Sequence, residues 1–210
     1  MNRITEALAD LDDDLVADGL REAMDAGVPA VEILERLQKG MEIVGERFQN
    51  GEYFLAEMIV AANIFKEAAA SLDNYLAVSE SAGELAEKPV FVIGTVKNDI
   101  HDIGKNIVAT IMSCSGFEVI DLGVDVPAAT FVQTIRDRRV DIVGLSCLLT
   151  TTFESMKEIA AAIRSEAPDL PILIGGGPVD DNVRQYVGAD QYCANAHETV
   201  QACKARCGLQ

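Results

Sequence analysis

At 210 residues, with 49% apolar and 24% charged positions, the chain can bury one large core or two small ones, and its composition is that of a folded protein. A net charge of −17 argues against nucleic acid as a partner, because phosphate binding needs a basic footprint. No run approaches the roughly 18 apolar residues of a membrane span, and the acidic start MNRITEALADLDDD does not read as a leader, so a cytoplasmic protein with no membrane partner is expected.

The first 88 residues carry 19 acidic against 7 basic side chains and read as helix throughout. Apolar residues recur at helical spacing: Leu8 and Leu11, then Leu15, Leu20, Ala23 and Met24, then Val31, Leu34, Leu37, Met41, Val44 and Phe48. Asp12 to Asp14 can cap the second helix, Gly27-Val28-Pro29 stops one helix and starts another, and Asn50-Gly51 is a turn dipeptide. Helices are expected at about 2–11, 13–26, 29–49 and 53–78. Connections this short make neighbours antiparallel, which gives a four-helix bundle with an acidic, solvated surface. SESAGELAEKP (79–89) is small, charged and ends in proline, as a linker does. The expected boundary therefore separates a helical domain over 1–88, linker at its end, from a second domain over 89–210.

Beyond it the period changes. VFVIGTV (90–96) is a short apolar run rich in β-branched residues, followed by similar runs at FEVIDLG (117–123), VDIVGLS (140–146) and LPILIGG (170–176), and a shorter one at ADQYC (189–193). Amphipathic stretches at 104–115, 127–138, 152–166 and 180–187 lie between them, and a last one covers 196–206. This alternation predicts a doubly wound, parallel, five-stranded α/β sheet of Rossmann-like (flavodoxin-like) type with helices on both faces. Five cysteines with no CxxC argue against both a disulfide framework and a zinc knuckle, and Cys203 and Cys207, one helical turn apart, are assigned no role.

Ligands of such sheets sit beyond the carboxyl ends of the strands. Three loops leave that edge with unusual composition: KNDIHDIG after the first strand, SCLLTTT after the third and GGGPVDD after the fourth. His101 is one of only two histidines and has Asp99 and Asp102 close by. A metal-bound imidazole commonly donates its other N–H to a carboxylate. One nitrogen ligand serves a tetrahedral zinc site poorly, whereas a metal already held in a macrocycle needs a single axial ligand. Gly104 and Gly175-Gly176-Gly177 allow close backbone approach, and no nucleotide-binding glycine fingerprint follows a strand.

Asp99 to Gly104 reads DxHxxG, Ser146-Cys147-Leu148 reads SxL, and Gly176-Gly177 supplies a later GG. In this order and spacing they resemble the signature of cobalamin-binding domains. VGERFQNGEYFLAEMIVAA (44–62) resembles the helical cap of methyl-transferring corrinoid proteins. Nearly the whole chain is thus similar to the small corrinoid protein of a methylotrophic or acetogenic methyltransferase system, and to the cobalamin-binding region of methionine synthase.

The resemblance implies that cobalamin, or a related corrinoid, is bound with its own base off cobalt and with His101 Nε2 as lower axial ligand. Asp99 accepts the Nδ1 hydrogen in that scheme, and Thr152 continues a proton relay in place of the family's usual serine. Ser146 lines the slot for the displaced nucleotide tail, Gly104 lets the tail pass, and Gly175, Gly176 and Gly177 pack against its far end. Asp102, Ile103, Leu148 and Thr150 are implied cofactor contacts within the same loops. Phe48 and Leu55, seven apart, cover the reactive face, and Ala56 stands where relatives commonly carry proline. The implied function is a methyl carrier, working through cobalt(I) and methylcobalt(III) between a donor methyltransferase and an acceptor methyltransferase for a thiol or a pterin. A reductive activase is the third implied partner. Donors of related systems include methylamines, methanol, methoxylated aromatics (O-demethylase systems) and betaines. Three alternatives remain open: a cobalamin-dependent sensor or regulatory module, the cobalamin subunit of an adenosylcobalamin mutase, and a plain doubly wound signalling domain. The absence of a DNA-binding segment, the presence of the helical cap and the three-loop constellation weigh against them in turn.

Overall fold

An aspartate opens the second helix and a proline the third in the computed structural model, which describes residues 3–78 and 87–209. Four helices come first: α1 (Arg3–Ala9), α2 (Asp13–Asp25), α3 (Ala30–Gln49) and α4 (Leu55–Val78). Asp12 caps α2 by accepting the Leu15 N–H at 2.9 Å, as its sequence position implied. The last helix starts two residues later than expected, because Glu57 takes the Phe54 N–H at 2.8 Å and so closes the preceding loop. Ile4, Leu8, Leu20, Ile33, Leu37 and Val44 form the buried stripes of this bundle. Helices α1 and α3 approach so closely that a Cβ on Gly40 would sit 2.9 Å from Leu8 Cβ. The Arg47 guanidinium donates to the Ala9 carbonyl at 2.6 Å, Asp10 at 2.9 Å and the Tyr53 hydroxyl at 2.8 Å, tying the end of α1 to the loop before α4. The linker expected at 79–89 falls mainly on residues 79–86, outside the described residues.

The chain divides into two compact units, Met1–Lys88 with Cys114–Gly116, and Pro89–Ser113 with Phe117–Gln210. The second unit alternates β1 (Val90–Thr95), α5 (Ile103–Cys114), β2 (Glu118–Asp121), α6 (Ala128–Asp137), β3 (Ile142–Ser146), α7 (Phe153–Glu166), β4 (Ile172–Gly175), α8 (Asp181–Val187), β5 (Gln191–Tyr192) and α9 (Ala196–Cys207). Strand order is β2-β1-β3-β4-β5 with every pair parallel, the doubly wound order with a switch point between β1 and β3. The strands are shorter at their ends than the apolar runs, β5 being two residues long, because the flanking residues turn into loops. Every residue of β1 is buried, so both of its faces are covered, and its continuous apolar run follows from that.

Register matters most for function. Thr95 pairs with Ser146, and Ser146 with Gly175, so β1, β3 and β4 end level with one another. The three loops picked out from composition therefore emerge side by side. Below them Phe131, Val143, Leu145, Met156, Ile159 and Ile163 make one continuous core. Among the described residues no helix is long and apolar enough to cross a membrane, and all five cysteines are free thiols. Burial pushes the Cys193 thiol up to about 11, which leaves it unreactive.

Phe131 is fully buried and occupies the space above Gly94, where an added Cβ would lie 2.8 Å from its ring. Phe131→Ala is expected to destabilise this unit by about 3–5 kcal/mol in urea unfolding. A loss under about 1 kcal/mol would show that this core does not depend on the ring.

Candidate functional site

Asp99 lies at the meeting of the level strand ends and is fully buried. Its Oδ2 accepts the main-chain N–H of Leu148 at 2.6 Å and of Leu149 at 3.1 Å. Its Oδ1 accepts the His101 N–H at 3.1 Å and lies 2.7 Å from His101 Nδ1. Burial pushes the carboxyl up, but the bonds donated by Leu148, the His101 ring and main chain, and Leu149 outweigh it and hold the carboxyl below its ordinary range. Asp99 is therefore ionised at neutral pH and can only accept. In the neutral imidazole the proton then sits on Nδ1, and Nε2 has the lone pair. The His101 side chain is 47% exposed, and its carbonyl is pinned by the buried Thr95 hydroxyl at 2.8 Å.

Two large apolar side chains of the same loops are open to solvent: Ile103 is 75% exposed and Leu148 45%. A Cβ on Gly104 would meet nothing within 4 Å, so there is room at the start of α5. At the fourth-strand loop the opposite holds: a Cβ on Gly176, whose φ is 132°, would fall 1.8 Å from the Cys147 carbonyl oxygen, and one on Gly177 would fall 2.9 Å from Leu148 Cδ1. The two glycines thus lay the loop after β4 flat against the loop after β3. Ser146 is half-buried at the end of β3, level with Gly175.

Thr152 has no direct bond to the carboxylate of the expected relay. Its buried hydroxyl turns inward, donating to the Leu149 carbonyl at 2.8 Å and lying 3.1 Å from Cys147 Sγ. It closes the short turn Thr150–Thr152 that presents the Leu149 N–H to Asp99, and the Cys147 thiol beside its hydroxyl is itself hydrogen-bonded to Asp99. Thr150 is exposed on that turn. Asp102 faces the first turn of α5, where its carbonyl and carboxylate hold Asn106 at 2.7 and 3.2 Å, and not His101. Phe48 is half-buried near the end of α3, and Leu55 is 48% exposed at the start of α4; both belong to the helical unit.

Sequence reading missed Thr95, Leu149, Asn98 and Asp125. The Asn98 N–H donates to Asp125 Oδ1 at 2.7 Å, and the Asp125 N–H to the Asp99 carbonyl at 2.9 Å. A turn-prone Asn before the motif was the one visible signal, and its partner lies 27 residues away. Elsewhere in this unit the buried Lys105 ammonium bonds Asp121 at 2.5 Å and Asn106 at 2.7 Å, which anchors α5 to the end of β2.

The donor set limits what can bind. Among the described residues no group of three or more His, Cys, Asp or Glu side chains is arranged to hold a bare metal ion. One imidazole offering Nε2, on loops that also expose Ile103 and Leu148 and leave open space at Gly104, suits a metal that brings its other ligands in an apolar macrocycle.

Comparison with known proteins agrees. A B12 binding domain family matches residues 89–204, and a second family, also described as B12 binding domain, matches residues 1–72. The trimethylamine corrinoid protein of Methanosarcina barkeri is 35% identical over 207 residues, 95% of this chain and 93% of that one. A crystal structure of a cobalamin-binding protein from Desulfitobacterium hafniense DCB-2 superposes with a TM-score of 0.80 at 38% identity, covering 98% of this chain and 97% of that one. The methanol:cobalamin methyltransferase complex MtaBC of Methanosarcina barkeri also gives 0.80, at 26% identity, covering 99% of this chain and 80% of the matched one.

Asp99→Ala strands the N–H groups of Leu148 and Leu149. The loss expected is about 2–4 kcal/mol in denaturant unfolding of the ligand-free chain. A change below about 0.5 kcal/mol would mean that the carboxylate does not hold the loops.

Proposed function

This chain belongs to the corrinoid proteins built on B12 binding domains, and we propose that it is the methyl-carrying subunit of a multi-component methyltransferase system. It binds cobalamin or a related corrinoid. The observation that carries the proposal is the half-exposed imidazole whose proton is committed to a buried, ionised carboxylate, so that one outward nitrogen is left with a lone pair. When bound, the corrinoid supplies a cobalt centre that, as cobalt(I), takes a methyl group from a donor and later gives it up to an acceptor.

The chain's own residues divide the remaining tasks. His101 Nε2 serves as the lower axial ligand in place of the cofactor's own base, and Asp99 fixes the ring's tautomer and direction. Ile103 and Leu148 present the apolar surface that a macrocycle covers. Ser146, Gly104 and the run Gly175, Gly176 and Gly177 border the room for the displaced nucleotide tail, with Thr150 at its rim. Asp102 acts on α5 through Asn106. Phe48 and Leu55 are the apolar residues the helical unit would offer to the cofactor. Thr152 holds the loop that carries the Leu149 donor, and a relay from its hydroxyl to Asp99 would pass through the Cys147 thiol.

Relatives named for trimethylamine and for a methanol:cobalamin methyltransferase support a small methylated donor presented by a separate methyltransferase. An acceptor methyltransferase for a thiol or pterin and a reductive activase complete the proposed partners, and the proposed setting is the cytoplasm. The −17 charge gives such partners an acidic surface to recognise.

Loading with hydroxocobalamin tests the reading. The chain is expected to take up about one equivalent, and His101→Ala is expected to keep much of that uptake while its visible spectrum changes to that of an unligated lower face. An unchanged spectrum in the variant would remove His101 from the cobalt.

A further inference from the structure

Two non-glycine residues beside the site hold positive φ, Asn98 at 68° and Asp125 at 53°. L-residues rarely adopt this region, and Asn and Asp tolerate it best. The two face each other across the first and second strand loops. Asp125 Oδ1 accepts the Asn98 N–H at 2.7 Å, and the Asp125 N–H donates to the Asp99 carbonyl at 2.9 Å. Asn98 is the third residue of the turn that the Asp99 N–H closes onto the Val96 carbonyl at 3.1 Å. That is the position at which a turn of this kind requires positive φ. One residue beyond Asp125, Val126 bridges Val96 and donates its N–H to the Thr95 carbonyl at 3.0 Å. Asp125 therefore grips the main chain of Asn98 with its side chain and that of Asp99 with its own N–H. Strain at both residues persists only because these bonds over-determine it.

We propose that Asp125 is a positioning residue for the Asp99–His101 pair: by clamping the main chain at Asn98 and Asp99 it sets the direction of the carboxylate, and through it that of the imidazole. The clamp is a property of the chain itself. Its consequence for a bound corrinoid rests on His101 being the axial ligand, and the experiment separates the two.

The full chain labelled with ¹⁵N-histidine is measured by NMR without cofactor, where long-range nitrogen–proton couplings report the tautomer of each ring. His197, buried in α9, serves as the internal control. Wild-type His101 is expected as the Nδ1–H tautomer. Asp125→Ala is expected to shift its tautomer ratio toward Nε2–H by about tenfold, the weight of a hydrogen bond to a charged group. Asp125→Asn keeps an acceptor oxygen and Asn98→Gly keeps the donor N–H, so both are expected to retain the wild-type ratio. If the alanine variant does not fold, Asp125→Gly removes the carboxylate without straining φ and is expected to give the same shift. A wild-type ratio in the folded Asp125→Ala or Asp125→Gly chain overturns the proposal, whatever the cofactor does. The same variants are then loaded with hydroxocobalamin and their visible spectra recorded. A tautomer shift without cofactor, joined to loaded spectra that respond to neither Asp125→Ala nor His101→Ala, upholds the clamp and rejects the axial ligand.

Discussion

A buried carboxylate is the constraint on which this structure turns. Taking an ionised group out of water costs several kcal/mol unless donors replace its hydration. Asp99 obtains them from two of the three loops that converge on it, through the Leu148, Leu149 and His101 main-chain N–H groups and the His101 ring. The loop after β2 holds its main chain through Asp125. Each loop can take its place only if the others do, and the pairing of β1 with β2 and with β3 brings them within reach. The donor geometry is thus held by the chain's own hydrogen bonds.

The same carboxylate decides the chemistry at its edge. An ionised acceptor against Nδ1 dictates the tautomer, and the tautomer dictates which nitrogen looks outward. Exposed aliphatic side chains on the same loops would be a liability in a protein that bound nothing there. Gly176 and Gly177 press the loop after β4 onto that after β3, while Gly104 leaves space beside α5. The helical unit has a separate core, and the Arg47 guanidinium ties the end of α1 to the loop before α4.

Much of this was legible in the amino-acid order. Continuous β-branched runs announced buried parallel strands, and helical spacing announced the bundle, because burial on two faces or on one stripe leaves those patterns. The pair Asp99 and His101 was legible because both groups are side chains two residues apart. The carboxylate's other partners were not, since Leu148 and Leu149 donate through main-chain atoms that carry no residue identity. For Thr152 the sequence offered a hydroxyl in the third loop, but not its partners, which are a main-chain carbonyl three residues back and the Cys147 thiol. Asp125 and Asn98 meet only through the β1–β2 register, which periodicity does not resolve.

The central claim is that His101, oriented by Asp99, supplies the protein's nitrogen to the corrin cobalt. It is tested most directly by electron paramagnetic resonance of the cobalt(II) form of the cobalamin-loaded chain, prepared with ¹⁵N-histidine and unlabelled cofactor. Coordination by His101 predicts that the axial nitrogen splits each cobalt line into a doublet, as a spin-½ nucleus does, and that the doublet vanishes in His101→Ala. A triplet in the labelled wild-type chain would place the cofactor's own unlabelled base on cobalt and contradict the account.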